Sequence, residues 1–310
     1  MIIASQVTAF SIGICASDTS ENLGLLLALI ESERFPEEFA LRRIIIVASG
    51  CSESTVRIAD RFAQRDDRVV LIKEPQRYGK ADAINKIMKN LGGEYLVFVN
   101  ADALPEKGAI GKLLSMIQRS PTTGLVSGSP FFEQKRNLTS AVEQLMWEIH
   151  NECSSRLNHL GLSNHGSDEM MVIRSKIISE LPVGIINDGA YIGGMARLDG
   201  FSIKFCNEAR VLIDVPSKIV DVIRQRRRII FGHFQVWRLT GKSPKTVESL
   251  LLFSPVISLG IVVRILTRYP RLITILPFAV ISETMALAFA LKDMTSGSSE
   301  KHSVWKRYGN

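Results

Sequence analysis

Short β-branched runs alternate with helix-like segments over the first 130 residues, and this alternation most constrains the fold. Arg43–Ala48 reads RIIIVA and Glu94–Val99 reads EYLVFV. Continuous apolar runs of this kind are typical of strands that are buried on both faces of a sheet. Thr55–Gln64 and Lys80–Leu91 carry apolar residues at helical spacing between such runs. The pattern predicts an α/β fold with a Rossmann-like, mostly parallel sheet that is flanked by helices.

Loops that follow the predicted strands, after Cys15, Ala48, Lys73 and Val99, are the expected location of chemistry. Ligands of such sheets bind beyond the carboxyl ends of the strands. The four cysteines show no Cys-x-x-Cys spacing, which argues against a zinc site or a thiol redox centre. Scattered cysteines fit a reducing compartment.

Basic residues are concentrated in the C-terminal third of the chain. From Ser217 onward there are 15 Lys and Arg against 5 Asp and Glu, whereas residues 1–216 hold 23 basic and 26 acidic residues. The same third contains two apolar runs of about 20 residues, Val247–Leu266 and Leu272–Leu291, a length that can span a bilayer. Basic residues beside apolar runs suit the cytoplasmic face of a membrane.

The two apolar runs have three possible interpretations. They could form a transmembrane hairpin with both ends in the cytosol, a pair of helices in the membrane interface, or core helices. Basic flanks favour cytosolic ends, whereas Arg264, Arg268 and Arg271 at the hairpin tip count against spanning. We expect a protein at the cell membrane with its catalytic domain on the cytoplasmic side. Without a recognisable nucleic-acid module, no nucleic-acid partner is expected.

Asn100 and Asp102 emerge two residues apart at the end of the run EYLVFVNAD. In extended geometry such residues face the same way, so both could present oxygens to one hard cation. Mg²⁺ and Mn²⁺ prefer oxygen ligands and bridge to phosphate oxygens. The alternative is an ordinary turn before Pro105, in which Asp102 has a structural role.

The segment RYGKADAIN combines a turn, positive charge and a helix start. Gly79 permits a tight turn, and Arg77 and Lys80 place positive charge where a diphosphate could bind. The amino terminus of the following helix adds its dipole. The alternative is a solvated loop.

Asp188 and the run Arg224–Arg228 are the remaining candidates. Asp188 could be a helix N-cap, or a general base within reach of an acceptor hydroxyl. Four arginines within five residues, RQRRR, repel one another and require anions or water. A phosphate-rich ligand would satisfy them, and a juxtamembrane basic cluster without a catalytic role is the alternative.

The order of these motifs along the chain is more specific than any one of them. Gly79-Lys80-Ala81, Asn100-Ala101-Asp102, Asp188 and Gln225–Arg228 follow one another before the apolar runs. In this respect roughly residues 10–240 resemble the family 2 inverting glycosyltransferases of the GT-A fold. The chain is most similar to their membrane-attached branch, which includes the cellulose, hyaluronan and poly-N-acetylglucosamine synthases.

The resemblance implies that Ile14–Asn22 is the first nucleotide-contact loop, with donor contacts at Ala16 and Asp18. Cys15 and Ser17 depart from the family pattern in this loop.

Val47–Thr55 matches the second nucleotide-binding turn, where Ala48 and Ser49 stand in place of two carboxylates. One of these carboxylates commonly grips the base in the family. Ser49 remains a donor contact, and the base is left unassigned.

The resemblance also implies roles for the later motifs. Asn100-Ala101-Asp102 matches the Asp-x-Asp motif, with Asp102 as the ligand of Mg²⁺ or Mn²⁺, Asn100 as a weaker helper and Ala101 as a donor contact. Asp188 matches the general base. Its pKa would stay low beside arginines unless burial offset them.

Gln225 and Arg228 match the Gln-x-x-Arg-Trp motif, with Ile229 in place of Trp. Together with Lys80, and with Arg226 as a further candidate, Arg228 would neutralise the leaving diphosphate.

The implied activity is inverting transfer of a sugar from a nucleotide-sugar donor to a lipid-linked or glycan acceptor. Two alternatives remain: a non-catalytic paralogue, suggested by the residues at 48 and 49, and a sugar nucleotidyltransferase. The implied domains are a GT-A domain over 1–240, with a nucleotide part over about 1–130 and an acceptor part over about 131–240. Two membrane-spanning or interfacial helices follow over 246–292, and a flexible tail over 293–310.

Overall fold

The structure is a computed structural model that describes residues 7–18 and 20–296. Its strands are β1 Thr8–Ala16, β2 Phe39–Ser49, β3 Val69–Glu74, β4 Tyr95–Asn100, β5 Leu104–Pro105, β6 Thr123–Phe131, β7 Met170–Arg174 and β8 Ser202–Leu212. Its α-helices are α1 Ser20–Ser32, α2 Glu53–Ala63, α3 Lys80–Lys89, α4 Ala109–Gln118, α5 Leu138–His159, α6 Asp188–Leu198, α7 Ile219–Thr240, α8 Val247–Phe253, α9 Pro255–Arg268 and α10 Leu276–Thr295. Short 3₁₀ turns cover Ser175–Ile177 and Pro270–Thr274.

The described strands form one sheet in the order β3-β2-β1-β4-β7-β6-β8-β5. The first four strands, β1 to β4, are parallel to one another, as predicted. Beyond β4 the sheet is mixed, because β7 runs antiparallel to both β4 and β6, and β5 runs antiparallel to β8. The α/β class is confirmed, and the mostly parallel description holds only for the first half.

Strand β2 shows why the β-branched run gives this fold. Ile44 and Ile46 pack into the apolar layer on one face of the sheet, and Ile45 and Val47 pack into the layer on the other face. All four side chains are fully buried, and each stabilises the fold by about 1.5–3 kcal/mol. A strand that is covered on both faces needs a continuous apolar run.

Helix α3, whose first residue is Lys80, packs very close to strand β1. A Cβ at Gly13 would lie 2.6 Å from Cγ2 of Ile87, so only glycine allows this approach. Gly79 precedes α3 with a φ of 101°, in the region that favours glycine. These two glycines hold the start of α3 against the carboxyl end of the sheet.

The C-terminal helices differ from the predicted hairpin. Val247–Leu266 is divided at Ser254, where Pro255 starts a new helix, and Leu272–Leu291 begins in a 3₁₀ turn before α10. Within residues 7–18 and 20–296, no helix is both long and apolar enough to cross a membrane. The predicted membrane-spanning helices are therefore not found.

The inner faces of these C-terminal helices pack on α5 and α7. Ile265, Leu272 and Ala279 bury against Val142 and Val222 of α5 and α7. The predicted flexible tail over 293–310 is wrong at its start, because Asp293–Thr295 belong to α10, and from residue 297 onward it lies outside the described residues.

Candidate active site

The predicted site residues meet at the carboxyl edge of the parallel strands. Cys15 of β1 pairs in register with Asn100 of β4, and Ala16 pairs with Ala48 of β2. The loops after β1, β2 and β4 therefore open on the same side. The sequence prediction of a ligand site at this edge has the geometry that it requires.

Asn100 faces an acidic residue that the sequence interpretation missed, Glu169. The strand pairing brings Val99 opposite Met170, which places Glu169 opposite Asn100. The Asn100 backbone N–H donates to the Glu169 carbonyl at 3.1 Å, and the Asn100 amide Nδ2 donates to Glu169 Oε2 at 2.9 Å. Burial, followed by the nearby Asp102 carboxylate, raises the pKa of Glu169 to about 7.

Asp102 follows in the turn after β4. The Ala103 N–H donates to the Asn100 carbonyl at 3.0 Å, which closes this turn, and Ala101 is buried beneath it. Asp102 thus lies two residues beyond the position at which Asn100 meets Glu169.

Lys80 and Asp188 form an ion pair, with 3.0 Å between Lys80 Nζ and Asp188 Oδ2. The Asp188 side chain is 4% exposed and that of Lys80 is 27% exposed, so the carboxylate is buried while part of the lysine reaches the surface. Burial lowers the pKa of Lys80, but Asp188 and then Asp168 outweigh it and leave that pKa above its usual value.

Helix α6 begins at Asp188, but Asp188 is not its N-cap. The cap is Asn187, whose side chain accepts from the Ala190 N–H at 3.1 Å. Asp168 Oδ1 accepts from the Gly189 N–H at 2.7 Å. The capping interpretation of Asp188 is therefore wrong, and its carboxylate is turned to Lys80 instead.

Asp168 is the second acidic residue that the sequence interpretation missed. Burial, followed by Asp188, raises the pKa of Asp168 to about 7, while Lys80 opposes the rise. A Cβ at Gly189 would collide with the Asp168 carboxylate, so a glycine is required there. The available signal was two consecutive acids, Asp168 and Glu169, directly before the apolar strand MMVI.

Cys15 lies beside the Lys80–Asp188 pair at the end of β1. Burial is the main cause that raises the pKa of the Cys15 thiol to about 12, with Lys80 lowering it and Asp188 raising it. The side chain therefore stays a neutral thiol that packs against the charged pair.

The predicted nucleotide-contact residues come together on the β1–β2 side of the site. Asp18 adopts a positive φ of 49°, and its Oδ1 accepts from the Ser52 N–H at 3.1 Å. The Cys51 thiol donates to the Ala16 carbonyl at 3.3 Å, and the Ser49 hydroxyl donates to the Gln76 carbonyl at 3.3 Å. Ala16, Asp18 and Ser49 thus form one rim of the carboxyl edge, where Asp18 is exposed and Ala16 and Ser49 are buried.

Helix α7 carries the arginine run and brings Arg228 to the segment before α6, but most arginines of the run are already paired. Arg224 pairs with Asp221, Arg226 with Glu248 and Glu283, and Arg227 with Asp293. The expectation that these arginines await an anionic ligand is wrong for these three, because Asp221 of the same helix pairs with Arg224, and α10 supplies carboxylates to Arg226 and Arg227 from 57 and 66 residues away. Arg226 is therefore not available as a diphosphate ligand.

Gln225 and Arg228 are half-buried on α7. Arg228 Nη2 lies 3.5 Å from the Ile186 carbonyl, which places its guanidinium near the segment that leads into Asp188. A Cβ at Gly232 would lie 3.0 Å from Asn187 Cβ, so α7 and the start of α6 are in close contact.

The donor set of the site suits a hard divalent cation that a ligand helps to hold. In the part of the chain that the structure describes, no three His, Cys, Asp or Glu side chains form a preassembled metal group. Glu169 lies opposite Asn100, two residues before Asp102, so two carboxylic acids stand at the ends of neighbouring strands. Mg²⁺ and Mn²⁺ are commonly bound by one or two carboxylates together with substrate phosphates.

Comparisons with known proteins agree with this geometry. Residues 11–181 match the family described as "Glycosyl transferase family 2". A poly-β-1,6-N-acetyl-D-glucosamine synthase from Staphylococcus epidermidis is 24% identical over 263 residues, which cover 82% of this chain and 62% of that protein. The synthase of the same description from Staphylococcus aureus (strain MSSA476) is 23% identical over 252 residues, covering 78% of this chain and 59% of the relative. The chain thus spans about three fifths of the length of these relatives.

Two solved structures share the fold. The mannosyltransferase PcManGT from Pyrobaculum calidifontis, in complex with GDP-Man and Mn²⁺, aligns with a TM-score of 0.62 and 17% identity over 95% of this chain and 88% of that one. The S. aureus protein TarS aligns with a TM-score of 0.50 and 16% identity over 72% of this chain and 39% of that one.

Proposed function

The chain belongs to glycosyltransferase family 2, and from this we propose that it transfers a sugar from a nucleotide-diphosphate donor to an acceptor hydroxyl with inversion. The observation that carries the proposal is the Lys80–Asp188 ion pair, which lies beside Cys15 at the carboxyl end of β1. A buried carboxylate beside a partly exposed lysine supplies a base and a phosphate ligand at one site.

Lys80 and Asp188 have different roles in the displacement of the diphosphate by the acceptor hydroxyl. Lys80, at the amino terminus of α3, attracts the donor diphosphate together with the helix dipole. As phosphate oxygens engage Lys80, the Asp188 carboxylate loses the partner that neutralises it and binds the acceptor's hydroxyl proton more strongly. The oxygen so activated attacks the anomeric carbon, and the bond to the diphosphate breaks. Arg228 adds positive charge on the leaving-group side.

Asp102 would hold a divalent cation at this site, with Asn100 beside it. When bound, the cation neutralises charge that develops on the leaving diphosphate. The complex of PcManGT with GDP-Man and Mn²⁺ supports a metal-dependent donor site, and both Mn²⁺ and Mg²⁺ are candidates here. The rim of Ala16, Asp18 and Ser49 would contact the nucleoside. Because Ala48 and Ser49 offer no carboxylate to the base, the donor nucleotide stays open.

The acceptor is proposed to be a glycan or a lipid-linked sugar. The names of the relatives, poly-β-1,6-N-acetyl-D-glucosamine synthases, favour a glycan. A non-catalytic role is disfavoured, because the base and phosphate-ligand candidates Asp188 and Lys80 form a largely buried ion pair. A nucleotidyltransferase would have no use for Asp188 placed as a base.

We also propose that α8–α10 lie on the cytoplasmic surface of the cell membrane. Their outer faces expose large apolar side chains: Leu252 is 78% exposed, Phe253 75% and Val256 84%. Arg268 and Lys292 are exposed at the ends of α9 and α10. An apolar face flanked by exposed cations is complementary to the interface of a bilayer that contains anionic lipids.

The activity is tested with purified protein and a panel of UDP-, GDP- and dTDP-sugars, with and without Mn²⁺. Donor turnover and transfer are measured for the native chain, for Asp188→Asn and for a matched Asp199→Asn at the exposed end of the same helix. We expect Asp188→Asn to lose at least about 100-fold in turnover, the usual contribution of a general base, and Asp199→Asn to retain it. Turnover that survives Asp188→Asn would refute the assignment of the base.

The membrane proposal is tested by flotation with two kinds of vesicle. One contains phosphatidylcholine alone, and the other also contains about 30% of the anionic lipid phosphatidylglycerol, roughly the charge of a physiological membrane. We expect binding to the anionic vesicles that weakens at least tenfold in a Phe253→Gln, Val256→Gln variant. The same two changes at exposed apolar residues elsewhere, Val7 and Leu25, should have no effect. Equal binding by both double variants would contradict the proposal.

A further inference from the structure

Glu169 stands opposite the residue at which the metal motif lacks a carboxylate. Asn100 ends β4 and Glu169 immediately precedes β7, and the antiparallel pairing of these strands brings the two residues face to face. The Asn100 amide donates to Glu169 Oε2 at 2.9 Å. This juxtaposition depends on the reversal of β7, which is why it is invisible in the order of the sequence motifs.

The chemistry of Asn100 leaves the metal motif short of one ligand. A carboxamide oxygen carries no formal charge and is a weaker ligand for Mg²⁺ or Mn²⁺ than a carboxylate. Its amide hydrogens are directed to Glu169 instead. Hydrogen bonds from outer groups orient and hold the carboxylates that ligate metals, and Asn100 stands in that relation to Glu169.

The neighbouring acids are committed to other partners, whereas Glu169 contacts Asn100, two residues before Asp102. Asp168 accepts from the Gly189 N–H, and Asp188 pairs with Lys80. The turn that the Ala103 N–H closes onto the Asn100 carbonyl keeps Asp102 at the strand end that Glu169 faces. Carboxylates from two segments at one strand end are a donor set that suits Mg²⁺ or Mn²⁺.

We infer that Glu169 is the second protein ligand of the donor-site cation and replaces the carboxylate that Asn100 lacks. The inference rests on the proposed function, since it concerns the same site. Asp102 and Glu169 would then provide two carboxylate ligands from two strand ends, and the donor diphosphate would complete the coordination. Asn100 would act as the positioning residue that holds Glu169.

The test measures Mn²⁺ binding directly, by electron paramagnetic resonance of free Mn²⁺ during titration in the presence of GDP or UDP. Glu169→Gln keeps the shape of the side chain and an oxygen acceptor for Asn100, so the change removes charge while preserving the contact. We expect Mn²⁺ affinity in the presence of nucleotide to fall at least about tenfold, since even outer partners of ligands contribute that much. Glu106→Gln, directly after β5 and paired with Arg210, is the matched control and should bind Mn²⁺ normally.

A relocated carboxylate provides the sharper test. The double variant Asn100→Asp, Glu169→Gln removes the carboxylate at position 169 and places one at position 100 on the opposite strand. Most of the Mn²⁺ affinity should therefore be restored. Glu169→Asp keeps the charge but withdraws the carboxylate by one methylene group, so it should weaken Mn²⁺ binding several-fold, and unchanged binding there overturns the inference if Glu169→Gln does not fold.

The outcomes separate the inference from the proposed function. If Asp102→Asn abolishes nucleotide-dependent Mn²⁺ binding while Glu169→Gln leaves it unchanged, Glu169 is not a ligand and the inference is overturned. If the native chain binds no Mn²⁺ with either nucleotide, or if Asp102→Asn has no effect, the metal-dependent donor site itself is refuted. Loss in Glu169→Gln with rescue by Asn100→Asp supports both.

Discussion

Replacing Glu143 with glutamine is expected to remove part of the pH dependence of the stability of this protein. Glu143 is 4% exposed on α5, and burial is the main cause that raises its pKa from 4.5 to about 7. Arg226 and a hydrogen bond with Trp147 oppose that rise without cancelling it. Ionised Glu143 is therefore less favourable in the folded chain than in the unfolded chain.

The sign and size follow from this pKa. Because the folded pKa is raised, the folded state holds the proton more tightly, and the stabilisation is fully present below about pH 4.5. It is lost as the pH rises through about 7. A rise of this size corresponds to about 3 kcal/mol in the free energy of unfolding.

The assay is urea unfolding of the native chain and of Glu143→Gln at pH 5 and at pH 8. Buried His150, His165 and His233 have lowered pKa values and titrate in both proteins, so they cancel in the difference between the two. We expect Glu143→Gln to gain about 2–3 kcal/mol relative to the native chain between pH 5 and pH 8. An exposed control, Glu133→Gln, should show no such gain, and an equal gain there, or none at position 143, would refute the reasoning.

Lys80→Met should lower turnover about 100-fold or more by removing charge at the leaving group, whereas Lys89→Met, exposed on the same helix, should leave steady-state rates unchanged. Gly189→Ala forces a Cβ into the Asp168 carboxylate and should cost about 1–3 kcal/mol in thermal or urea unfolding, while Gly260→Ala, which meets no atom within 4 Å, should be neutral or stabilising. Arg226→Met leaves Glu283 without its cation and should cost about 2–3 kcal/mol in urea unfolding, less than for a fully buried pair because the Arg226 side chain is 20% exposed.

The nucleotide half of the fold could be predicted because its signals are local. A run such as RIIIVA specifies a strand covered on both faces, and the helical segments between such runs specify the crossovers. The edge at which Lys80 and Asn100 meet follows from the parallel order of these strands. Each inference needed only neighbours along the chain and the handedness of the connections.

The rest of the site depends on contacts between distant segments. Glu169 reaches Asn100 because β7 lies antiparallel beside β4. No local sequence pattern predicts that β7 runs in the opposite direction. The arginine run appeared to need an external anion because Glu283 and Asp293 lie far along the chain. The apolar runs resembled bilayer spans because hydropathy does not distinguish a face that packs on α5 and α7 from one that faces lipid.

The ion pairs between α7 and α10 make the charge balance of α7 depend on a helix that lies 57 to 66 residues further along the chain. Arg226 has one carboxylate partner, Glu248, on α8, but its second partner, Glu283, and the partner of Arg227, Asp293, belong to α10. Without α10, Arg227 would lose its carboxylate partner and Arg226 one of its two, on the helix whose Arg228 contacts the Ile186 carbonyl. A change at Glu283 or Asp293 would therefore unbalance the charge of α7 beside the segment that leads into Asp188, so α10 can influence that segment through the charges of α7.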